Sequence, residues 1–161
     1  MSIARLLTGC CTALLLTAAG GCDSSGEQDS FAREASRPAS GITRVTELGE
    51  VVEVDEDDWR TAPVYVGEIR VDPAEPNPVS IGGFVSIQVS VTVFNAVQAP
   101  LRVETQRDNR LRTLDIIDRA SDPGAYAFTF PASEIGTRGL HRLYVFDGVG
   151  ELVSYGDVII Q

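Results

Sequence analysis

The chain contains no Lys. All 13 of its basic residues are Arg, set against 23 Asp and Glu, for a formal net charge of -10. Nucleic acid and anionic membrane surfaces both call for a basic footprint, so this balance argues against them as partners. Cysteine is scarce as well: Cys10, Cys11 and Cys22 are the only three, and none lies beyond position 22. An exported domain can use disulfides; this one has none to use, so its stability comes from its core. Cysteine catalysis and cysteine–metal sites are excluded there. His141 is the single His. It alternates with Leu140 and Arg142 in a strand-like run and reads as a surface residue, because a base or ligand role needs convergent partners. No phosphate-binding glycine loop, G-x-S-x-G or H-E-x-x-H is present. No apolar run approaches the roughly 20 residues of a membrane-spanning helix.

What is present centres on Phe84 to Phe94, FVSIQVSVTVF. Val85, Ile87, Val89, Val91 and Val93 alternate with Ser86, Gln88, Ser90 and Thr92. Successive side chains of a strand point to opposite faces, so this is a strand with one dry face and one wet face. Such a sheet is usually antiparallel, and its dry face needs a cover, most simply a second sheet. Further strands are expected at Val64 to Val71, Leu101 to Gln106, Arg110 to Ile117, Ala125 to Phe130, Leu140 to Phe146 and Leu152 to Ile160. Pro73, Pro76 and Pro78 make the segment after the first strand a loop or sheet edge. Asp108-Asn109, Asp122-Pro123-Gly124 and Asp147-Gly148-Val149-Gly150 supply turns. Tyr126, Phe128 and Phe130 share a face and read as a core stripe. Pro131 to Glu134 reads as one helical turn. About seven short strands without a long helix make the fold all-β, an antiparallel β-sandwich.

Ahead of the sandwich, residues 23–60 carry eleven acidic residues and four Arg and show no sustained period. Residues 22–60 are therefore expected to form a disordered, flexible acidic linker, with the domain at 61–161. Fully extended, about forty residues would let the domain range up to about 130 Å. Within it, Thr46 to Val54 is a candidate extra strand or docking segment.

Candidate site residues are few. Asp55, Glu56, Asp57 and Asp58 are weak calcium candidates, since hard cations take clustered carboxylate oxygens; no EF-hand spacing follows, and a solvated spacer is the plainer reading. No cofactor is expected. Trp59, Tyr65, Tyr144 and Tyr155 are weak candidates for a glycan-binding platform, which requires them exposed together. Asp115, Asp118 and Asp122 are read as solvated loop carboxylates rather than a cation site. A hydrolase with two converging carboxylates would need a concave site that a small sandwich offers little room for.

The first 22 residues form an address. Arg5 is the only charge before position 23, Leu6 to Ala19 is apolar and small, and Gly20-Gly21-Cys22 follows. This is the layout of a secretory signal. Ala19-Gly20-Gly21-Cys22 resembles the lipobox of bacterial lipoproteins, departing from it at Ala19, where the family usually has Leu. The resemblance implies a signal peptide at 1–21 and acyl chains, palmitate among them, on Cys22. The protein would then be exported and anchored to an envelope membrane, on its periplasmic or surface side. In turn, NPVSIGGFVSIQVSV, GAYAFTFPAS and GLHRLYVFDGVGELV resemble the bacterial immunoglobulin-like domains of envelope proteins, without the inter-sheet Cys pair of antibody domains. That resemblance implies a non-enzymatic structural or protein-interaction module with an envelope protein as partner; the alternative is a glycan-binding module at the cell surface.

Overall fold

The computed structural model describes residues 24–161; the signal segment and Cys22 lie outside the described residues. Two antiparallel sheets face each other. The first is three-stranded, formed by β3 (Ile69–Val71), β4 (Phe84–Val91) and β7 (Gly124–Pro131) in that order. The second has β6 (Arg110–Ile117), β5 (Leu101–Arg107), β8 (Gly139–Phe146) and β9 (Leu152–Ile160), also in that order. These seven strands form the immunoglobulin-like sandwich.

The alternation in β4 has the expected result. Val85, Ile87, Val89 and Val91 are buried, and across the ladder Phe128 and Phe130 lie beside Ile87 and Val85 on the same inner face. Opposite residues of an antiparallel pair share a face, which is how the two stripes meet. The strand ends sooner than its pattern suggests. Thr92 turns away to bond the carbonyls of Gly67 and Glu68, and Val93 and Phe94 are exposed. The expected strand at 64–71 is also shorter. Pro63–Tyr65 forms a 3-10 turn and Gly67 sits at φ 85°, so only Ile69–Val71 pairs. Proline has a fixed φ and no N–H to give a ladder. The β5–β6 turn places Asp108 and Asn109 at φ 52° and 60°, the double left-handed conformation of a tight hairpin. Residues 132–135 form the expected helical turn, α2.

The linker expected at 22–60 is corrected over 24–60, which is folded against the sandwich. Helix α1 (Ser24–Ala35) lies along β8 and β9, with Phe31 and Ala35 buried and the Phe31 ring 5.1 Å from that of Tyr155. Burying one such ring contributes about 1.5–3 kcal/mol. Gln28 anchors its N-terminal half by donating to the Glu151 carboxylate at 2.7 Å and the Leu152 carbonyl at 3.0 Å. A small hairpin follows, β1 (Arg44–Val45) with β2 (Val51–Glu53), so the 46–54 segment does contribute a strand. Polarity misled the composition argument: the segment binds through a few buried anchors and backbone hydrogen bonds rather than an apolar stripe. Its cover also explains β9, where eight of nine residues are buried because both faces are packed.

The outer edge of β9 is satisfied along its length. Its backbone takes hydrogen bonds from Trp59 N, Ala62 N and Val79 N and from the side chain of Asn77. Val79 also bridges Ile160 in parallel. The outer edges of β6 and β7 have no such neighbour among the described residues. Asp115 on β6 reaches over to accept the Thr129 N–H of β7 at 2.7 Å.

Candidate functional site

The densest polar cluster sits where the N-terminal segment meets β8 and β9. Register brings Arg142 directly opposite Asp157 on the face that α1 covers. Their pairing is bidentate, Nε to Oδ1 at 2.7 Å and Nη2 to Oδ2 at 2.8 Å, and both side chains are buried. The remaining guanidinium nitrogen, Nη1, donates to the carbonyls of Ala35 and Arg37 at 3.1 and 2.8 Å. Carbonyls at a helix C-terminus lack intrahelical donors and carry partial negative charge, so a cation suits them. The guanidinium also lies 4.9 Å from the Tyr155 ring centre. Burial alone would lower the Arg142 pKa; the Asp157 carboxylate outweighs it and holds the group above its ordinary value. Asp157 Oδ2 accepts in addition from Ser40 N at 2.7 Å.

Asp58 and Asn77 complete the cluster by acting as pieces of a neighbouring strand. Asp58 accepts from Asp157 N at 2.9 Å and from Thr43 N at 2.7 Å. Asn77 is fully buried. Its Nδ2 donates to the Thr43 and Asp157 carbonyls at 2.9 and 2.8 Å, and its Oδ1 accepts from Ile159 N at 3.1 Å. Every polar atom of the Asn77 side chain is thereby used, as a buried amide requires.

The acidic run therefore divides. Asp58 is buried, while Glu56 and Asp57 are exposed and Asp55 is half-buried. A shared hydrogen bond pushes the Asp55 carboxyl up in pKa and Asp57 down. No group of three or more metal-ligating side chains occurs among the described residues, so the four do not converge. Burial, reinforced by the nearby Asp157 charge, raises Asp58 from 3.8 to about 7 despite its two backbone donors. The folded state then holds a proton that the unfolded state releases near pH 4. Stability falls as pH rises from about 4 to 7, by at most about 4 kcal/mol. Urea midpoints should drop between pH 5 and pH 8, and Asp58→Asn should flatten the drop; identical pH profiles for the two proteins would contradict this assignment.

The aromatic candidates do not form a common platform. Trp59, Tyr65 and Tyr155 are buried, and Tyr144 is half-buried. Trp59 closes the edge of the sandwich, as a packing residue would. Its backbone is left-handed at φ 58°, and its ring lies so close over Gly156 that a Cβ there would fall 2.2 Å from it. That close approach accounts for a glycine inside β9. Tyr65 donates to the Asp147 carboxylate at 3.1 Å; burial first, and then that carboxylate, push its phenol up in pKa. Tyr144 stacks on Phe146 at 6.0 Å and, with Leu111 and Ala32, borders an apolar groove beside α1.

Next to the cluster lies a polar cleft of about 400 Å³ bordered by Glu34, Arg37, Glu56, Asp57 and Arg60, with Arg142 and Tyr155 at its base. Arg60 pairs with Glu34 at 2.5 Å and donates to Tyr155 Oη at 3.2 Å. His141 is half-buried rather than a surface residue, its Nε2 2.6 Å from the Thr137 carbonyl oxygen. Asp115 accepts the N–H groups of Ile116 and Thr129. The Tyr126 hydroxyl donates back to the Asp122 carbonyl at 2.7 Å, a local tie at the start of β7.

Sequence reasoning passed over Arg142, Asp157 and Asn77. One signal was available: Asp157 lies inside an otherwise uncharged strand, and the glycine-rich hairpin folds Arg142 onto it.

No family model matches the chain, and no curated protein matches it. Among solved structures it is similar to the sensor domain of the anti-sigma factor RsgI4 of Pseudobacteroides cellulosolvens. That likeness has 13% identity and a TM-score of 0.42 and covers 58% of this chain and 92% of that one.

Proposed function

We propose that this chain is a lipid-anchored bacterial cell-envelope protein whose sandwich acts without catalysis, as a protein-interaction or structural module. The observation that carries the reading is the open edge of β6. β9 is sealed by the N-terminal segment, whereas β6 pairs with β5 alone among the described residues and exposes Arg110, Leu111 and Arg112. An unpaired edge invites an added strand, with backbone groups supplying affinity and alternate side chains supplying specificity. The buried polar cluster supports the same reading, because the hydrogen-bonding groups of Arg142, Asp157 and Asp58 are taken up by structural partners. The lipobox-like Ala19-Gly20-Gly21-Cys22 supplies the anchor.

A photoreactive residue at position 111, activated in cells, tests this. One reproducible attached protein, lost when Cys22→Ala removes the anchor, is the expected result. No attached protein, with the chain retained instead on cell-wall polysaccharide, would replace this reading with a glycan-binding one.

A further inference from the structure

The loops at one end of the sandwich are tied to one another and carry five exposed apolar side chains. Tyr65 of the 3-10 turn bonds Asp147 of the β8–β9 hairpin. Gly148 N of that hairpin donates to the Gln98 carbonyl in the β4–β5 loop, and Asn95 N in the same loop donates to the Ser121 carbonyl. Thr92 holds the β4–β5 loop to Gly67 and Glu68. On these bound-together loops, Val64, Val66, Val93, Phe94 and Val149 are 42%, 68%, 46%, 69% and 75% exposed. Clustered exposed apolar side chains on a soluble fold mark a surface that is covered in use.

The direction of α1 says what covers them. Gln28, the fifth residue of α1, is bonded to Glu151 and Leu152 at the β8–β9 hairpin, and the helix runs from there toward Arg142. Its N-terminus therefore points to this same loop end. Four helical residues span about 6 Å. The two further residues back to Cys22 reach at most about 7 Å. Resting on the anchor reading above, which places acyl chains on Cys22, we propose that this loop end seats on the lipid bilayer, its apolar tips in the headgroup region beside the acyl chains. The domain stands directly on the membrane, and the α2 end points away from it. Acyl chains and shallow apolar insertion reinforce each other, since a second membrane contact stabilises a lipid anchor. Glu68, Asp118, Asp122 and Glu151 are exposed at this end against Arg119, so the surface suits a zwitterionic lipid better than an anionic one.

The test uses the full lipidated chain in phosphatidylcholine vesicles. An environment-sensitive fluorophore is placed on Phe94→Cys, on Val149→Cys and, at the far end, on Arg138→Cys, one variant at a time. The mass of the N-terminal peptide is measured on the same samples. Emission at positions 94 and 149 should shift to the blue and be quenched by brominated lipid, with position 138 unchanged. Acylated Cys22 with all three probes in water would overturn the placement and leave the anchor standing. An unacylated Cys22 would overturn the anchor, and the placement with it.

Discussion

Replacing Arg142 with Met is expected to destabilise the protein by about 3–5 kcal/mol, the usual cost of stranding one partner of a buried ion pair. The carboxylate of Asp157 is fully buried, and after the change only Ser40 N is left to compensate its charge. The carbonyls of Ala35 and Arg37 lose their donor in the same step. The effect should therefore have two readouts. The urea midpoint falls, and proteolysis within residues 24–60 accelerates as the end of α1 comes loose. Removing both charges, with Asp157→Leu beside Arg142→Met, should be less damaging than the Arg142 change alone. A loss of under about 1 kcal/mol, typical of an exposed pair, would show that the pair is not buried in solution.

The second large effect lies in the core. Val89 and Val91 are 0% and 4% exposed and face the opposing sheet. Two Asp at these positions would each bury an unpaired charge at several kcal/mol. Native domains hold only about 5–15 kcal/mol in total. The double variant should show no cooperative unfolding transition. Gln88→Glu, on the exposed face of the same strand, should fold like the parent. A soluble, cooperatively folded Val89→Asp/Val91→Asp protein would sink the sandwich assignment.

The strands were legible because each carries its information locally. β4 announces its face by alternation, β7 by three aromatics two apart, and the hairpins by glycine, Asn and Asp at their turns. The N-terminal segment was not legible for the opposite reason. SSGEQDSFAREASRPASG offers one large apolar anchor, Phe31, and the partners of Gln28 and of the Ala35 carbonyl lie over a hundred positions away. A polar helix read by itself looks solvated; only the outer face of β8 and β9 shows where it fits. Asp58 was misread similarly. In a run of four acids it resembles a solvated spacer, yet it substitutes for a strand at the β9 edge, accepting the N–H of Asp157. The aromatic candidates failed as a platform because Trp59 and Tyr155 are needed inside, one over Gly156 and one under Phe31.

The closure of α1 and its following segment over the last hairpin also has a consequence in time. Gln28 waits for Glu151, Asp58 for the backbone of Asp157, and the carbonyl of Ala35 for Arg142, separations of 123, 99 and 107 residues. Such distant pairings make folding slow, because a long loop must close before any contact rewards it. A ribosome delivers Gln28, Ala35 and Asp58 well before the partners that bind them. The early segment lacks the surface it packs on until then. Until Arg142 to Asp157 has emerged this segment is a clasp with nothing to close on, so the β8–β9 hairpin decides when the sandwich gains its cover.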